Sequence, residues 1–465
     1  MSLLIVAMDN TIVNVALPSI RRDLHAPLSG LQWTIDAYVL VIASLLLLSG
    51  STADRLGRKR VFQVGLSLFV AGSLSCSLAP SLGWLIAARA VQGIGGSMLN
   101  PVAMSISTNV FTDPRERGRA IGAWGAVVGI SLALGPIVGG ALTESVGWRA
   151  IFWINVPIGI AAVILTALYV PESRAARARR IDPLGQLLVV ATLASLTYAI
   201  IEGPTAGWSS TQTIGLFALA AAALAGLLAY EPRRSDPLIE LRFFRSAPFS
   251  GATVIAVSAF AGFSGFLFVN TLYLQDDRGF SALEAGLCIL PMALAALLCS
   301  PLSGRAVGTR GPRVPLFVAG VCMTASAVVM TTVTSSTPLV LLLCMYALFG
   351  VGFGSVNSPI TYTAVSGMPN NQAGVAAAVA STSRQVGQAL GVAITGSILG
   401  AGAAGAVGGH IAAASHPAWW VIAGCDAGVL GVGMLSTGRR ARRTAERCAA
   451  LLAEEDTAAA QPVPA

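Results

Sequence analysis

Residues 32–60 read QWTIDAYVLVIASLLLLSGSTADRLGRKR, a predominantly apolar stretch that is followed directly by a short cationic loop. An α-helix of about 20 residues crosses the hydrocarbon core of a bilayer, at about 1.5 Å per residue. The segment therefore predicts a transmembrane helix that ends on a loop exposed to water. Similar stretches recur along the whole chain.

The overall composition also indicates a membrane protein. Apolar residues make up 55% of the 465 positions and charged residues only 11%, and the mean hydropathy is +0.74. A soluble domain carries about 25% charged residues, so this chain has too few to cover a surface that faces water. A cleavable signal peptide is not predicted, because the first apolar stretch contains Asp9 and has no basic segment before it.

Windows of high hydropathy predict fourteen transmembrane helices. They lie near residues 1–20, 32–53, 61–80, 83–108, 119–143, 149–170, 184–203, 212–230, 249–275, 283–303, 313–333, 338–362, 373–400 and 418–437. The predicted fold is an all-α integral membrane protein with two pseudo-symmetric six-helix bundles and two inserted helices. Charged segments that contain proline divide it into a first bundle at 1–170, two inserted helices with cytoplasmic linkers at 171–248, a second bundle at 249–437, and a disordered cytoplasmic tail at 438–465.

The 29 lysines and arginines fall unevenly on the two sides of the predicted membrane. One set of loops, together with the C-terminal tail, carries 23 of them, whereas the opposite loops carry four. Because cytoplasmic loops of membrane proteins are enriched in Lys and Arg, we expect both termini in the cytoplasm. Most of the tryptophans lie at the other ends of the spans, as an interfacial aromatic belt predicts.

A weak internal repeat relates the two groups of six helices. The loop at 50–59, GSTADRLGRK, aligns with the loop at 304–313, GRAVGTRGPR, in two glycines and in the final cation. Asp54 of the first loop is replaced by Gly308 in the second. Equivalent loops in two six-helix halves are typical of a duplicated transporter fold.

Charged residues inside the predicted spans are the sharpest functional signal. Asp9 lies in the middle of the first span, Asp36 in the outer third of the second, and Arg89 in the fourth. A charge at the bilayer centre costs roughly 2.5–3.5 kcal/mol, so each of them must face a cavity or a partner. A desolvated carboxylate suits reversible proton binding, and we interpret Asp9, Asp36 and Arg89 as proton-coupling residues. A fixed Asp–Arg pair that only holds helices together is the alternative.

Two helices carry polar stripes. Arg89, Gln92 and Asn100 share one face of the fourth span with two glycines, and Arg384 and Gln388 repeat this chemistry in the thirteenth. Such stripes either line a polar cavity or allow close helix packing, and the arginine and glutamine in each favour a substrate cavity. Further candidate contacts in the ninth and twelfth spans are Asn270, Tyr273 and Asn357.

The fifth span contains Gly135, Pro136, Gly139 and Gly140. Proline removes a helix hydrogen bond and glycine allows close contact, so this helix is expected to bend. A hinge between moving bundles and tight packing are both open interpretations. They overlap, because bundles that move against one another require close contacts.

Several other functions are excluded by what the sequence lacks. It contains no G-x-x-x-x-G-K-[ST] phosphate-binding loop, its seven cysteines have no spacing that suits zinc, and no Ser/His/Asp arrangement indicates hydrolysis. We therefore predict no enzymatic activity, no cofactor, no metal and no nucleic-acid partner. The expected partners are a small-molecule substrate, protons and the lipid bilayer, and we expect a monomer.

Taken together, these segments resemble the major facilitator superfamily, specifically its fourteen-span drug:proton antiporter branch. The stretch MDNTIVNVALP at 8–18 resembles the first span of that branch, and the loop at 50–59 resembles its G-x-x-x-D-R-x-G-R-[RK] motif. RAVQG at 89–93 matches R-x-x-Q-G, and WRAIFWINVPIG at 148–159 is similar to a stretch typical of the branch. SLALGPIVGG at 131–140 resembles the antiporter motif G-x-x-x-G-P-x-x-G-G, with serine in place of the first glycine.

The resemblance implies roles for single residues. Asp9 would exchange protons, and Arg89 would tune or relay that exchange. A cytoplasmic switch that holds one access state would consist of Gly50, Asp54, Arg55, Gly57 and Arg58. The resemblance also implies a multi-pass protein of the bacterial inner membrane.

The predicted function is proton-coupled efflux of small apolar or amphipathic compounds, such as drugs and antibiotics, by alternating access. An exporter of the same fold for an endogenous metabolite, such as an antibiotic, siderophore or lipid, is the main alternative. A membrane sensor without transport and an uptake symporter are further hypotheses, disfavoured by the charges within the spans and by the fifth-span glycines respectively.

Overall fold

A computed structural model describes residues 1–110, 113–175, 181–234, 237–369, 372–405 and 411–460, and all regular elements in these ranges are helical. The first seven helices are α1 (Ser2–Leu24), α2 (Leu28–Leu56), α3 (Arg58–Ser77), α4 (Leu82–Val110), α5 (Pro114–Ser145), α6 (Ala150–Trp153) and α7 (Asn155–Tyr169). Two helices follow, α8 (Pro183–Ala206) and α9 (Thr211–Tyr230). The remaining ones are α10 (Ala247–Leu272), α11 (Ala282–Arg310), α12 (Arg313–Met330), α13 (Leu339–Val365), α14 (Ala373–Gly405), α15 (Ile411–Ser436) and α16 (Arg439–Ala460). A π-helical turn, Tyr273–Asp277, extends α10.

The helices confirm the prediction of an all-helical, multi-pass membrane protein. Within the described residues, eleven helical segments are long and apolar enough to cross a membrane, and α6 with α7 forms one of them. The count of fourteen spans stays a prediction.

The helices pack as two groups with a pair between them. In the first group α1 packs on α5, and α4 packs on α2 and α3. In the second, α10 packs on α14 and α15, while α13 packs on α11 and α12. The groups meet where α5 contacts α11 and where α2 contacts α14. Helix α8 packs on both α2 and α14, and α9 packs on α8. The domain boundaries proposed from the sequence stay predictions.

Glycine brings several helix backbones into direct contact. A Cβ at Gly72 of α3 would overlap the backbone of Gln92 in α4, and one at Gly391 of α14 would overlap the backbone of Ala261 in α10. Small residues at such crossings allow dispersion contacts between backbones, which is how helices associate where no hydrophobic effect drives them together.

The described hydrogen bonds between the two groups all lie near the end at which α1 joins α2. They are Arg21 to Asp276 (3.4 Å), Gln275 to the Val15 carbonyl (2.8 Å), Gln32 to the Val392 and Ala393 carbonyls (3.3 and 2.9 Å), and the Leu283 amide to Glu144 (3.3 Å). At the opposite end, where α2 joins α3, the hydrogen bonds of Arg58 and Lys59 go to Asp54, Ala167 and Glu172, before the second group.

The prediction of a disordered tail is wrong for Arg439–Ala460, which form α16. One face of this helix is buried against the second group, at Ala441, Ala445, Cys448 and Leu452. Thr444 Oγ1 accepts a hydrogen bond of 2.9 Å from the backbone amide that begins α10. The basic and alanine-rich composition concealed a helical repeat of small apolar residues, while residues 461–465 lie outside the described residues.

Candidate functional site

A buried carboxylate in α1 is the centre of the most extensive polar cluster in the described part of the chain. Asp9 Oδ2 accepts a hydrogen bond of 2.5 Å from Arg89 Nη1. Asp9 Oδ1 accepts further hydrogen bonds from Gln92 Nε2 at 2.8 Å and from Asn155 Nδ2 at 3.2 Å. Asp9 and Arg89 are 0% and 1% exposed, so the ion pair is fully withdrawn from solvent.

Further groups complete what we call the Asp9 network, formed by Asp9, Tyr38, Ser73, Arg89, Gln92 and Asn155. Arg89 Nε donates to the Thr34 carbonyl at 3.0 Å, and its guanidinium lies 4.2 Å from the centre of the Tyr38 ring. Ser73 Oγ accepts from Gln92 at 2.8 Å and from Asn155 at 3.1 Å. The network thus joins α1, α2, α3, α4 and α7, all from the first group of helices.

The sequence of α4 explains how the network is held. Arg89 and Gln92 are three residues apart and therefore share one face of the helix. Gly93 and Gly96, from the same stripe, face α2, where a Cβ at Gly93 would overlap the Tyr38 carbonyl. The stripe thus combines a polar site with close packing, and the two glycines contribute only the packing.

Three members of the network were not predicted from the sequence. Tyr38, Ser73 and Asn155 are single polar residues within apolar spans, and all are 0% exposed. Asn155 could have been identified from the WINVP stretch, since an amide inside a span needs a hydrogen-bonding partner. Tyr38 and Ser73 carry no comparable signal.

Asp36 does not join this network. It is fully buried, and neither of its carboxylate oxygens has a hydrogen-bond partner among the described residues. One turn before it, Gln32 bonds to α14, and Trp33 Nε1 donates to Glu202 of α8 at 3.1 Å. Because residues four apart share a helix face, Asp36 lies on the side of α2 that faces α14. Asp36 as a proton-coupling residue stays a prediction.

The predicted switch loop bonds to its own half of the protein. Arg58 Nη2 lies 2.9 Å from Asp54 Oδ1, in a partly exposed pair. Gly57 has φ of 115°, where a side chain would be strained, and a Cβ there would press on the Glu172 carboxylate. Glu172 in turn accepts a hydrogen bond of 3.1 Å from the Lys59 amide. The other two predicted members are Arg55 and Gly50. Arg55 is exposed, and a Cβ added at Gly50 would meet open space.

The glycines of α5 face two different helices. Gly135 and Gly139 pack against α1, where a Cβ on either would overlap a side chain of α1. Gly140 packs against the start of α11, and the Pro136 carbonyl is in close contact with Gly286 of the same helix. The motif thus provides tight packing on both sides, and its role as a hinge stays a prediction.

Three predicted substrate contacts are instead buried in the helix packing. Gln92 belongs to the Asp9 network. Asn270 is 0% exposed and accepts a hydrogen bond of 2.6 Å from the Tyr346 hydroxyl. Tyr273 is also 0% exposed and donates to the Thr334 carbonyl at 2.6 Å. Polarity identified these positions, but their hydrogen bonds are satisfied by the protein.

The other predicted contacts keep part of their surface accessible. They are Asn100 in α4, Asn357 in α13, and Arg384 and Gln388 in α14. Within the described residues, no group of three His, Cys, Asp or Glu side chains could hold a metal ion.

Comparisons with known proteins agree with this architecture. The sequence profile of the Major Facilitator Superfamily matches residues 1–392. The chain is 38% identical over 384 residues to the multidrug resistance protein Stp of Mycobacterium tuberculosis, covering 83% of this chain and 71% of that protein. It is 36% identical over 381 residues to the tetracenomycin C resistance and export protein of Streptomyces glaucescens, covering 82% of this chain and 71% of the relative.

A solved structure shares the fold. The bacterial homologue of the human lysosomal transporter Spinster, in an inward-facing and occupied conformation, superposes with a TM-score of 0.62. The match covers 100% of this chain and 97% of that one at 18% identity.

Proposed function

The chain belongs to the major facilitator superfamily, and from this premise we propose that it exports small, largely apolar drug-like compounds in exchange for protons. It is a multi-pass protein of the inner membrane and a transporter, not an enzyme. Its relatives are named as multidrug and antibiotic resistance proteins, which supports efflux as the direction of transport.

The observation that carries proton coupling is the enclosed Asp9–Arg89 pair. Two opposite charges at 2.5 Å stabilise one another only while both are ionised. A proton on Asp9 removes the negative charge and leaves the Arg89 guanidinium, which stays protonated in proteins, without compensation in a low-dielectric interior. The α4 and α7 side chains that bond to Asp9 then rearrange, so that proton binding is linked to helix movement.

The proposed topology has fourteen spans with both termini in the cytoplasm. Helices α1 to α5, α6 with α7, and α8 to α15 supply the fourteen, in the order six, two and six. The positive-inside rule places the end where α1 joins α2 outside the cell. The described hydrogen bonds between the two halves lie at that end, which supports a conformation that is closed to the outside. This supports alternating access about the interface of α5 with α11 and of α2 with α14.

The deciding experiment is Asp9→Asn in proteoliposomes that contain the purified protein. We expect the variant to fold and to bind substrate, but to lose the proton flux that wild-type protein shows when substrate is added. Asp23→Asn is the matched control, because it makes the same change at the exposed end of α1. Proton flux at the wild-type level in Asp9→Asn would contradict the proposal.

An endogenous antibiotic as substrate is a second candidate. It is favoured by the similarity to a Streptomyces protein that is named for both resistance to and export of tetracenomycin C. Competition between drug substrates and extracts of the producing cell, measured in the same vesicles, distinguishes the two. An extract compound that displaces drugs and is itself exported supports the endogenous role.

A further inference from the structure

Arg384 is a cation within the length of α14 that has no acid beside it. No described carboxylate oxygen lies within 4.0 Å of its guanidinium. Nη2 donates to Thr361 Oγ1 at 2.6 Å, Nη1 lies 3.5 Å from Ser381 Oγ, and the buried Nε has no partner among the described residues. In contrast, the charge of Arg89 is matched by Asp9.

An uncompensated cation inside the membrane is costly unless it faces water or an anion. Arg384 is half-buried, and Thr361, the closest of its partners, is exposed. Thr361 lies four residues before the end of α13. In the proposed topology this is the cytoplasmic end of α13, and the exposed Thr361 places accessible surface beside the guanidinium.

The surroundings of Arg384 suit an aromatic ligand. The Phe260 ring centre lies 6.0 Å from the guanidinium and 5.3 Å from the Phe353 ring. Phe353 is stacked on Phe263 at 4.1 Å, which continues the aromatic surface. One turn along α14, Gln388 Oε1 has no described hydrogen-bond partner. An aromatic cluster, of which Phe260 keeps 8% of its surface exposed, therefore lies next to two side chains that each have a buried polar atom without a described partner, a guanidinium donor and an amide acceptor.

The acidic residues named in the interior do not form a comparable binding site for a positively charged compound. Asp9, Asp36 and Asp426 are each 0% exposed, and Asp9 is already bonded to Arg89. Asp426 faces Gly262 in the packing of α15 against α10. Asp9, Asp36, Asp426 and Arg89 are all buried, whereas Arg384 keeps accessible surface, and its positive charge selects for an anion.

We propose that Arg384 binds the acidic group of an aromatic organic anion whose ring lies against Phe260, and that such anions are substrates of the transporter. The planar guanidinium matches a carboxylate through two parallel hydrogen bonds. The inference rests on the proposed export function, since it names the substrate class of that transporter.

The test uses two probes that differ by one charge. Binding of 2-naphthoate and of its neutral amide, 2-naphthamide, to the purified full chain is measured by titration calorimetry. We expect Arg384→Gln to weaken naphthoate binding at least tenfold while naphthamide binding changes less than twofold. Arg384→Lys keeps the positive charge but loses the two parallel donors of the guanidinium, and it is expected to retain part of the affinity that Arg384→Gln loses. Arg440→Gln, an exposed arginine of α16, is the control for net charge.

Three outcomes would overturn the assignment. The first is unchanged naphthoate binding in Arg384→Gln. The second is an equal loss of affinity for both probes in that variant, which indicates a structural arginine. The third is the lack of naphthoate binding to the wild-type protein at millimolar concentration. Asp9→Asn separates this inference from the export mechanism. If that variant retains the naphthoate preference while proton flux persists, proton coupling through Asp9 fails and the anion site stands.

Discussion

The Asp9–Arg89 pair yields a quantitative prediction about stability. In Asp9→Asn, Arg89 keeps its hydrogen bonds to the Thr34 carbonyl and to Gln92 but loses its counter-charge in a site that is about 1% exposed. Removing one partner of a buried pair costs about 3–5 kcal/mol. Arg89→Gln is expected to cost less, because an unpaired carboxylate can be neutralised by a proton whereas a guanidinium cannot.

The double variant Asp9→Asn, Arg89→Gln should recover most of that loss, since replacing both members of a buried pair by neutral groups is often close to neutral. We expect a coupling free energy of at least about 2 kcal/mol between the two sites. Reversible unfolding in mixed detergent micelles, followed by tryptophan fluorescence, measures all four proteins. Transport by the double variant should persist as uncoupled exchange.

An exposed pair that includes Asp23 of α1 provides the control cycle. Asp23 and Arg149 lie 2.7 Å apart but are 47% and 40% exposed, so their coupling should stay below about 1 kcal/mol. If the two single changes at Asp9 and Arg89 add to within about 0.5 kcal/mol in the double variant, the pair is not coupled and the argument fails.

Three further predictions concern the packing. Gly140→Val should reduce transport at least tenfold, because its side chain would meet the Ala282 carbonyl of α11, whereas Gly215→Val, next to open space in α9, should not. Arg21→Glu should weaken closure of the protein at the end where α1 joins α2, and adding Asp276→Arg to that variant should restore it. Labelling of cysteines placed at that end by a water-soluble reagent measures both effects. For an exposed pair we expect the labelling to change about two- to fivefold. Ala445→Glu should lower the thermal unfolding temperature, because a carboxylate there is buried against Gly367.

The charged part of the site could be predicted from sequence because charges are rare within spans. Asp9 and Arg89 stood out among the mostly apolar residues of their spans, and a partner was required by the cost of burying them. Ser73 and Asn155 could not be predicted in the same way. Serine and asparagine can satisfy themselves within a helix, so only the packing of α3 and α7 shows that they face Asp9.

Other features of the site depend on packing that the sequence does not show. Asn270 and Tyr273 are polar residues within a span, and Tyr346 and the Thr334 carbonyl bond to them from neighbouring helices. A pattern along one helix identifies a face but not the helix that packs on it. In α16, the composition of the tail favoured disorder over the repeat of small apolar residues that it also contains. Ala445, one of these residues, packs against Gly367.

The location of the Asp9 network constrains how proton binding can reach the other half of the protein. All its members come from the first group of helices, so a change of charge on Asp9 acts within that group. Helix α5 is one element that can transmit it, beside the direct contact of α2 with α14. Gly135 packs against Thr11, two residues from Asp9, while Gly140, one and a half turns further on, packs against α11 of the second group.

Because both contacts are made without a side chain on α5, a displacement of α1 cannot be absorbed by rotamer changes there. We expect a displacement of α1 to shift α5 through these contacts, and α5 to shift against α11 in turn. This also explains why the same glycine motif need not bend in order to act. We propose that its role in coupling rests on contact on two sides, and filling either contact with a larger side chain should then uncouple proton binding from the movement of the bundles.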